Sequence, residues 1–394
     1  MRLGFHYHIP AISKTDGIYM PGYQGRFIDS LANYCEEVTC FLHSPMPGER
    51  GLMDYRLTAP NVTLVDIGPH ASVPQRLFKA RRFTQPLRSW HNRLDAMLLR
   101  GPSPLLPAMA QAAPDVPLAL LLVGDYLAGV NDLPQPPWRR EAIRLFAWWN
   151  YRQQLHIARR SLTMVNSRLL YEQLRPLVSE LHEIRTTTLT TADFFVREDT
   201  CPAPPYHLLY TGRMDRAKGL FEMVGALALL VSQGEDVILD LVGWPAENDS
   251  IIDELTVLAE SKGVADRVRY HGYKKVGPEL FEFYQQADIY ILASRSSEGF
   301  PRSLWEAMAH SLPVIATKVG SIPYFISGAA ELVEPNNISS IADSLQMILH
   351  DGNRRRGLIQ AGLNLARENT LEVQAQKLID NIRTWLDKYH GKTI

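Results

Sequence analysis

The sequence predicts an α/β chain with two doubly wound parallel sheets. Two observations point there. Strand-like apolar runs alternate with helix-length segments along the 394 residues. The runs also fall into two sets, one on each side of a proline-dense stretch. At about 150 residues per domain, the length suits two domains or three.

In the first set, Arg2 to His8, Val38 to Leu42, Val62 to Ile67, Leu118 to Val123 and Leu162 to Asn166 read as strands. In the second, Leu208 to Thr211, Val237 to Val242, Val268 to His271, Ile289 to Ala293 and Val314 to Ala316 do the same. Two sheets of similar size suggest two Rossmann-like domains rather than one large sheet. The boundary is expected between Arg197 and Tyr206, where Cys201-Pro202-Ala203-Pro204-Pro205 cannot sit in a central strand. That divides the chain into residues 1–200 and 201–370. Residues 371–394 carry an amphipathic helix, Leu371 to Tyr389, which packs within the second domain or crosses back to the first.

Composition excludes several classes. With 46% hydrophobic and 21% charged residues, the chain is not a disordered one. Its three cysteines, Cys35, Cys40 and Cys201, are too few for a disulfide framework and fit a reducing compartment. Met1 to Pro10 has no signal-peptide core, and Val116 to Val130 contains Asp125 and is short of the ~20 apolar residues of a spanning helix. A cytoplasmic location is therefore expected. A net charge of -1 excludes a globally basic nucleic-acid binder, and no nucleic-acid partner is expected.

Two basic stretches stand out in the first half. Arg76, Lys79, Arg81, Arg82, Arg88, Arg93 and Arg100 face one acid, Asp95. Arg139, Arg140, Arg144, Arg152, Arg159 and Arg160 face Glu141 and are interleaved with Phe146, Trp148, Trp149 and Tyr151. Each cation near an anionic leaflet is worth about 1 kcal/mol, so peripheral docking on the inner face of a membrane is one reading. A solvated helix face over core tryptophans is the other.

The sharpest chemistry follows two strands of the second set. After Ala287-Asp288-Ile289-Tyr290-Ile291-Leu292-Ala293-Ser294 comes Glu298-Gly299-Phe300-Pro301-Arg302-Ser303-Leu304-Trp305-Glu306. A helix is expected to begin near Pro301 to Ser303, since proline suits the first turn and serine caps it. Ligands of open α/β sheets sit at the strands' carboxyl ends, where helix N-termini bind anions. Glu298 and Glu306 are acceptors suited to sugar hydroxyls, or else a solvated loop residue and a dipole partner. Earlier, Tyr210-Thr211-Gly212-Arg213-Met214-Asp215-Arg216-Ala217-Lys218-Gly219 reads as a strand ending at Thr211, a loop with three cations and a helix from Gly219. Arg213 and Lys218 suit phosphate, or else form a basic surface loop. Together the two loops describe a pocket for a diphosphate flanked by sugars.

Gly212-Arg213, Lys218-Gly219 and the Glu-x7-Glu spacing of Glu298 and Glu306 resemble the family-4 retaining glycosyltransferases (glycosyl transferases group 1) of the GT-B fold. Gln286-Ala287-Asp288 and Ser311-Leu312-Pro313-Val314-Ile315-Ala316-Thr317 are similar too, and the resemblance covers roughly residues 205–345. It implies two Rossmann-like domains facing across a cleft. It further implies that Arg213 and Lys218 grip the donor diphosphate, that Glu306 binds the nucleotide ribose and that Glu298 contacts the transferred sugar. Backbone amides from Phe300 through Pro301, Arg302, Ser303 and Leu304, beside Gly212 and Gly299, would face the diphosphate or sugar. Gly22 and Gly25 match the family's glycine loop, with its usual Gly-Gly pair broken by Tyr23-Gln24. Where many members have His-Asp, this chain has Gly124-Asp125, so Asp125 takes part of that contact or the donor sugar differs. Gly320-Ser321-Ile322-Pro323-Tyr324 stands where the family often has Gly-Gly-x-Pro-Glu.

The resemblance implies transfer of a hexose-type sugar from a UDP- or GDP-sugar to a glycan or lipid-linked acceptor, in surface polysaccharide assembly. No Asp-x-Asp motif is present, and neither metal nor other cofactor is expected. Leaving-group charge would fall to Arg213, Lys218 and helix N-termini, in front-face transfer with retention. A nucleotide-sugar epimerase of the same fold, a non-catalytic nucleotide-sugar-binding protein and a glycoside hydrolase are the alternatives.

Overall fold

The computed structural model describes residues 1–124, 136–246, 249–295 and 301–391. They form two units. Met1–Thr186 joins with Leu371–Ile394, and Thr187–Thr370 forms the other.

The first unit contains β1 (Arg2–Pro10), β2 (Ile12–Lys14), β3 (Gly17–Met20), β4 (Glu37–Ser44), β5 (Tyr55–Arg56), β6 (Val62–Pro69), β7 (Ala96–Gly101), β8 (Leu118–Leu122), β9 (Leu162–Val165) and β10 (Leu181–Glu183). Seven of them make a sheet in the order β10-β9-β8-β7-β1-β4-β6, parallel throughout. A small antiparallel sheet, β2-β3-β5, stands beside it. The strands are nearly continuous apolar runs because both faces are covered. Leu98 and Leu121 fill one layer, while Met97, Leu99, Leu120 and Leu122 fill the other.

The second unit contains β11 (Tyr206–Met214), β12 (Val237–Pro245), β13 (Val268–Tyr270), β14 (Ile289–Leu292), β15 (Val314–Thr317) and β16 (Glu331–Val333). They pair in parallel in the order β13-β12-β11-β14-β15-β16. The chain therefore builds outward on both sides of β11. The β11/β14 seam is the point where a doubly wound sheet leaves a crevice at its carboxyl edge.

The two sheets match the sequence reading, with additions. β7 was hidden because Ala96-Met97-Leu98-Leu99 has helix-prone composition beside an arginine-rich segment. β10 and β16 have three residues each.

The units divide at Thr186, before the prolines. Residues 187–205 are already fixed to the second unit. Leu189 and Cys201 lie in its core. Phe195 N–H donates to Ala309 O at 3.0 Å, and Cys201 N–H to Asp288 Oδ1 at 2.7 Å. The prolines thus turn a docked segment rather than link two domains.

The helix Leu371–Gly391 packs in the first unit. Leu378, Ile379 and Ile382 are fully buried there with Leu3, Phe5 and Leu31. Gln374 Oε1 accepts from Arg185 N–H at 2.8 Å, and Tyr34 O accepts from Arg383 Nη2 at 2.7 Å.

The basic stretches are not uniform surfaces. Arg76 and Arg100 are each only 6% exposed, so neither reaches a membrane. Lys79, Arg81, Arg82 and Arg88 are exposed, next to Phe78 at 91% exposure. On the helix Pro137–Ala158, Trp138, Trp148 and Trp149 are exposed rather than core residues. Among the described residues, no helix is long and apolar enough to cross a membrane.

Candidate functional site

β11 runs to Met214, three residues beyond the expected end, so Arg213 lies on the strand. The extension comes from a close pairing with β12 at Gly212 and Gly243. Gly243 has φ +150°, and a Cβ there would lie 1.7 Å from Gly212 O. Only glycine allows that approach. Tyr210 Oη donates to Arg213 O at 2.8 Å and holds the strand end.

The turn beyond is organised by Asp215. Its Oδ1 accepts Ala217 N–H at 2.8 Å, which caps a short 3-10 turn over Arg216–Lys218. Its Oδ2 accepts Arg213 Nη2 at 2.6 Å. The cations now separate by role. Arg216 pairs with Asp249 at 2.9 Å and with Glu254, so it braces the turn. The Arg213 side chain stays 58% exposed, and Lys218 is half-buried.

The loops after β11 and β14 converge, as the sequence predicts. Arg295 N–H donates to Ala217 O at 2.8 Å. Gly219 has φ +70°, and a Cβ on it would lie 1.9 Å from Ala293 O. Its backbone therefore passes directly beneath the end of β14.

The helix Arg302–Ala309 begins where expected, with Pro301 at its cap. The expected row of amides is shorter than expected. Pro301 has no N–H, and Leu304 N–H is donated to Pro301 O at 3.2 Å. Arg302 and Ser303 remain as amides of the first turn. Asp125, Glu298, Gly299 and Phe300 lie outside the described residues.

Glu306 is 5% exposed, one turn into this helix. Its Oε1 accepts from Thr188, and its Oε2 accepts from Tyr284 Oη at 2.8 Å. Tyr284 Oη also lies 2.5 Å from Thr211 Oγ1, and Tyr290 Oη donates to Thr211 O at 3.2 Å. Burial, then the Glu306 carboxylate, pushes the Tyr284 phenol well above its ordinary value. Burial likewise pushes Tyr290 up to about 12. Both phenols are therefore donors at neutral pH. The chain Glu306–Tyr284–Thr211 leads to the strand that carries Arg213.

Sequence reasoning did not find Thr188 or Tyr284. Thr188 lies 118 residues before Glu306, within a threonine run. Tyr284 directly precedes the Gln285-Gln286-Ala287-Asp288 segment, the one signal that pointed toward it. Gly22 and Gly25 lie in the first unit, inside the helix Gly22–Ala32 rather than in a loop. Gly22 N–H donates to Asp54 Oδ1 at 2.8 Å, and a Cβ on Gly25 would lie 2.2 Å from the Tyr55 ring. The packing of Tyr55 is sufficient reason for that glycine.

Residues 195–364 match the family model described as glycosyl transferases group 1. The matched stretch lies within the second unit, Thr187–Thr370. The chain is 31% identical over 192 residues to D-inositol 3-phosphate glycosyltransferase of Arthrobacter sp. (strain FB24), which covers 48% of this chain and 44% of that one. It is 27% identical over 187 residues to lipopolysaccharide 1,2-N-acetylglucosaminetransferase of Salmonella typhimurium, 46% of this chain and 49% of that one. The chain thus spans less than half the length of these curated relatives.

The fold of the chain is GT-B. Sucrose-phosphate synthase from Thermosynechococcus elongatus superposes with a TM-score of 0.75 at 20% identity, covering 98% of this chain and 100% of that one. Anabaena Alr3699/HepE, solved in complex with UDP and glucose, superposes with a TM-score of 0.72 at 16% identity over 98% and 100%.

Proposed function

We propose that the chain is a retaining glycosyltransferase. It moves a hexose-type sugar from a UDP- or GDP-sugar to a glycan or lipid-linked acceptor. The observation that supports this reading is the joining of the loops after β11 and β14 by the Arg295 N–H to Ala217 O bond, together with the contacts that run from Glu306 through Tyr284 to Thr211 on β11, the strand that carries Arg213. Cations and amide dipoles suit a diphosphate, and a carboxylate suits ribose hydroxyls. Group 1 relatives are named as glycosyltransferases, and a neighbour of the same fold was solved with UDP and glucose.

Arg213 and Lys218 neutralise the charge that develops on the departing diphosphate. The exposed Arg213 swings from Asp215 to phosphate with little loss, because the pair it leaves is solvated. The helix amides add preorganised dipoles, and one such donor is worth ~3–4 kcal/mol of barrier. Glu306 arrives already oriented by Tyr284 and Thr188, so ribose binding needs no rearrangement of the carboxylate. The leaving phosphate helps deprotonate the acceptor hydroxyl on the same face of the sugar, which retains its configuration. No divalent ion is needed for these steps.

The exposed Phe78, Trp138, Trp148 and Trp149, with the cations around them, support docking of the first unit at an anionic membrane on the cytoplasmic side. Surface polysaccharide assembly is the setting in which such an enzyme meets a lipid-linked acceptor.

The test is a thermal-shift screen against UDP, GDP, ADP and their sugars, followed by transfer assays with EDTA present. A ligand at 100 times its dissociation constant raises stability by about 2.7 kcal/mol. Absence of any nucleotide-dependent shift overturns the reading. Conversion of the nucleotide sugar without an acceptor would instead mark an epimerase.

A further inference from the structure

The carboxyl end of β14 is held by more than its sheet neighbours. Ser294 is fully buried, and its O accepts from Thr317 Oγ1 at 2.7 Å, at the end of β15. Arg295 follows, and its N–H is already spent on Ala217 O. Its side chain reaches two further elements. Nε donates to Asn336 Oδ1 at 2.7 Å, in the connection after β16, and lies 3.2 Å from Glu222 Oε1. Glu222 stands in the first turn of the helix Leu220–Ser232, which follows the turn that carries Lys218. One arginine thus ties together the connections that follow β11, β14 and β16.

Each partner is itself fixed. Glu222 is 8% exposed, and its Oε2 is buried without a hydrogen-bond partner among the described residues. A carboxylate so placed is costly without a cation beside it, and Arg295 supplies the cation. Asn336 has φ +58°, a conformation that asparagine tolerates better than most residues. Next to it, Asn337 Oδ1 accepts Ser340 N–H at 2.9 Å and caps the helix Ile338–His350. The start of that helix abuts Leu220–Ser232, since a Cβ on Gly225 would lie 2.7 Å from Ile338 Cδ1. Glu222 and Asn336 therefore form a fixed seat for the guanidinium.

We propose that Arg295 is a positioning residue for the donor diphosphate, with Glu222 as its buried anchor. The proposal rests on the transferase reading and deepens it. The guanidinium acts through its protein contacts rather than on the donor. It fixes the turn Arg216–Lys218 against the chain that leads to the helix Arg302–Ala309. Lys218 and the first-turn amides of that helix then keep one spacing before a nucleotide arrives. A site assembled beforehand binds without the ordering cost that a loose one meets. A charge pair suits this task, because its geometry is directional while its net stabilisation is small.

The test measures UDP and GDP binding by calorimetric titration, beside thermal melts, on the unaltered chain and three variants. Arg295→Met leaves the Glu222 carboxylate buried alone. Melting temperature and nucleotide affinity should both fall, the latter about tenfold. Adding Glu222→Gln removes the orphaned charge. Melting temperature should then return while affinity stays about tenfold down. A merely structural pair predicts that the two recover together, and that result overturns the proposal. So does Arg295→Met binding nucleotide like the unaltered chain. Arg295→Lys keeps a cation before Glu222 and should bind within about threefold of the unaltered chain. A lysine variant as weak as the methionine one overturns the proposal too. The double variant carries no lone charge, so it decides even where Arg295→Met does not fold. If neither nucleotide binds the unaltered chain, the transferase reading falls. Nucleotide bound equally by the unaltered chain and the double variant defeats only the positioning role.

Discussion

Tyr284 Oη donates to Glu306 Oε2 at 2.8 Å, in a region where neither group meets bulk water. A buried carboxylate costs free energy unless it is hydrogen-bonded, so Tyr284 and Thr188 together make Glu306 tenable where it stands. Tyr284→Phe removes one donor and keeps the ring. A hydrogen bond to a charged group is worth ~1.5–3 kcal/mol, so stability should fall by about that amount. Affinity for UDP should fall by at least ~tenfold as Glu306 loses its orientation. Denaturant melts and calorimetric titration with UDP read the two effects separately. UDP affinity unchanged in the variant would separate Glu306 from nucleotide binding.

Arg213 offers the opposite balance. Its side chain is largely exposed and its partner Asp215 is near the surface, so Arg213→Ala should leave the melting temperature nearly unchanged. Turnover should fall by well over ~tenfold, since the guanidinium acts on charge that develops in the transition state. Lys218→Ala should behave alike. Steady-state kinetics with a saturating donor checks both, and near-normal turnover would remove these cations from the mechanism.

Two glycines should respond with opposite signs. A Cβ on Gly219 meets Ala293 O at 1.9 Å on a backbone of positive φ. Gly219→Ala should therefore cost on the order of 2–4 kcal/mol and weaken nucleotide binding. Gly357 lies exposed inside the helix Gly352–Arg367, with nothing within 4 Å of an added Cβ. Gly357→Ala should stabilise by ~0.5–1 kcal/mol. Paired denaturant curves decide both.

The second unit also holds a pH-sensitive triad. Asp240 Oδ2 lies 2.7 Å from His207 Nδ1, and its Oδ1 lies 2.7 Å from His271 Nε2. The hydrogen bond to Asp240 raises His207 above its ordinary value despite some burial. Burial pulls the Asp240 carboxyl up, but the two imidazole hydrogen bonds outweigh it and hold it below 3.8. The His207 contribution is complete below about 6.5 and is lost as pH rises through the raised folded value. The Asp240 contribution is complete above about 3.8 and is lost as pH falls through the depressed folded value. Stability from the triad should thus peak between these limits. Asp240→Asn should flatten the pH dependence of the melting temperature in this window, and an unchanged profile would sink the assignment.

Membrane docking is checked with vesicles. The chain should co-sediment with anionic vesicles in preference to zwitterionic ones, and less so as salt rises. Trp148→Ser with Trp149→Ser should weaken it while Arg76→Gln, a buried position, should not. Equal binding to both vesicle types would count against the cytoplasmic-membrane setting.

The strands were legible because parallel strands buried on both faces leave long apolar runs, as in Ile289-Tyr290-Ile291-Leu292. The helix start at Pro301 was legible because proline and serine have strong positional preferences. Tyr284 was not, because it sits at ordinary helical spacing with Leu280 and Phe281 and looks like any core aromatic. Its hydroxyl contacts come from other elements, and no local pattern encodes them. Arg76 and Arg100 misled for a related reason. A charge run reads as surface, and only the folded sheet reveals that its two ends turn inward.

The helix Leu371–Gly391 has a consequence for how the molecule is made. On the ribosome, Thr187–Thr370 emerges whole and can collapse at once around its own sheet. Met1–Thr186 is synthesised earlier yet must wait, with the surface around Leu3, Phe5 and Leu31 uncovered, until Leu378, Ile379 and Ile382 appear. The unit translated first is therefore the one completed last.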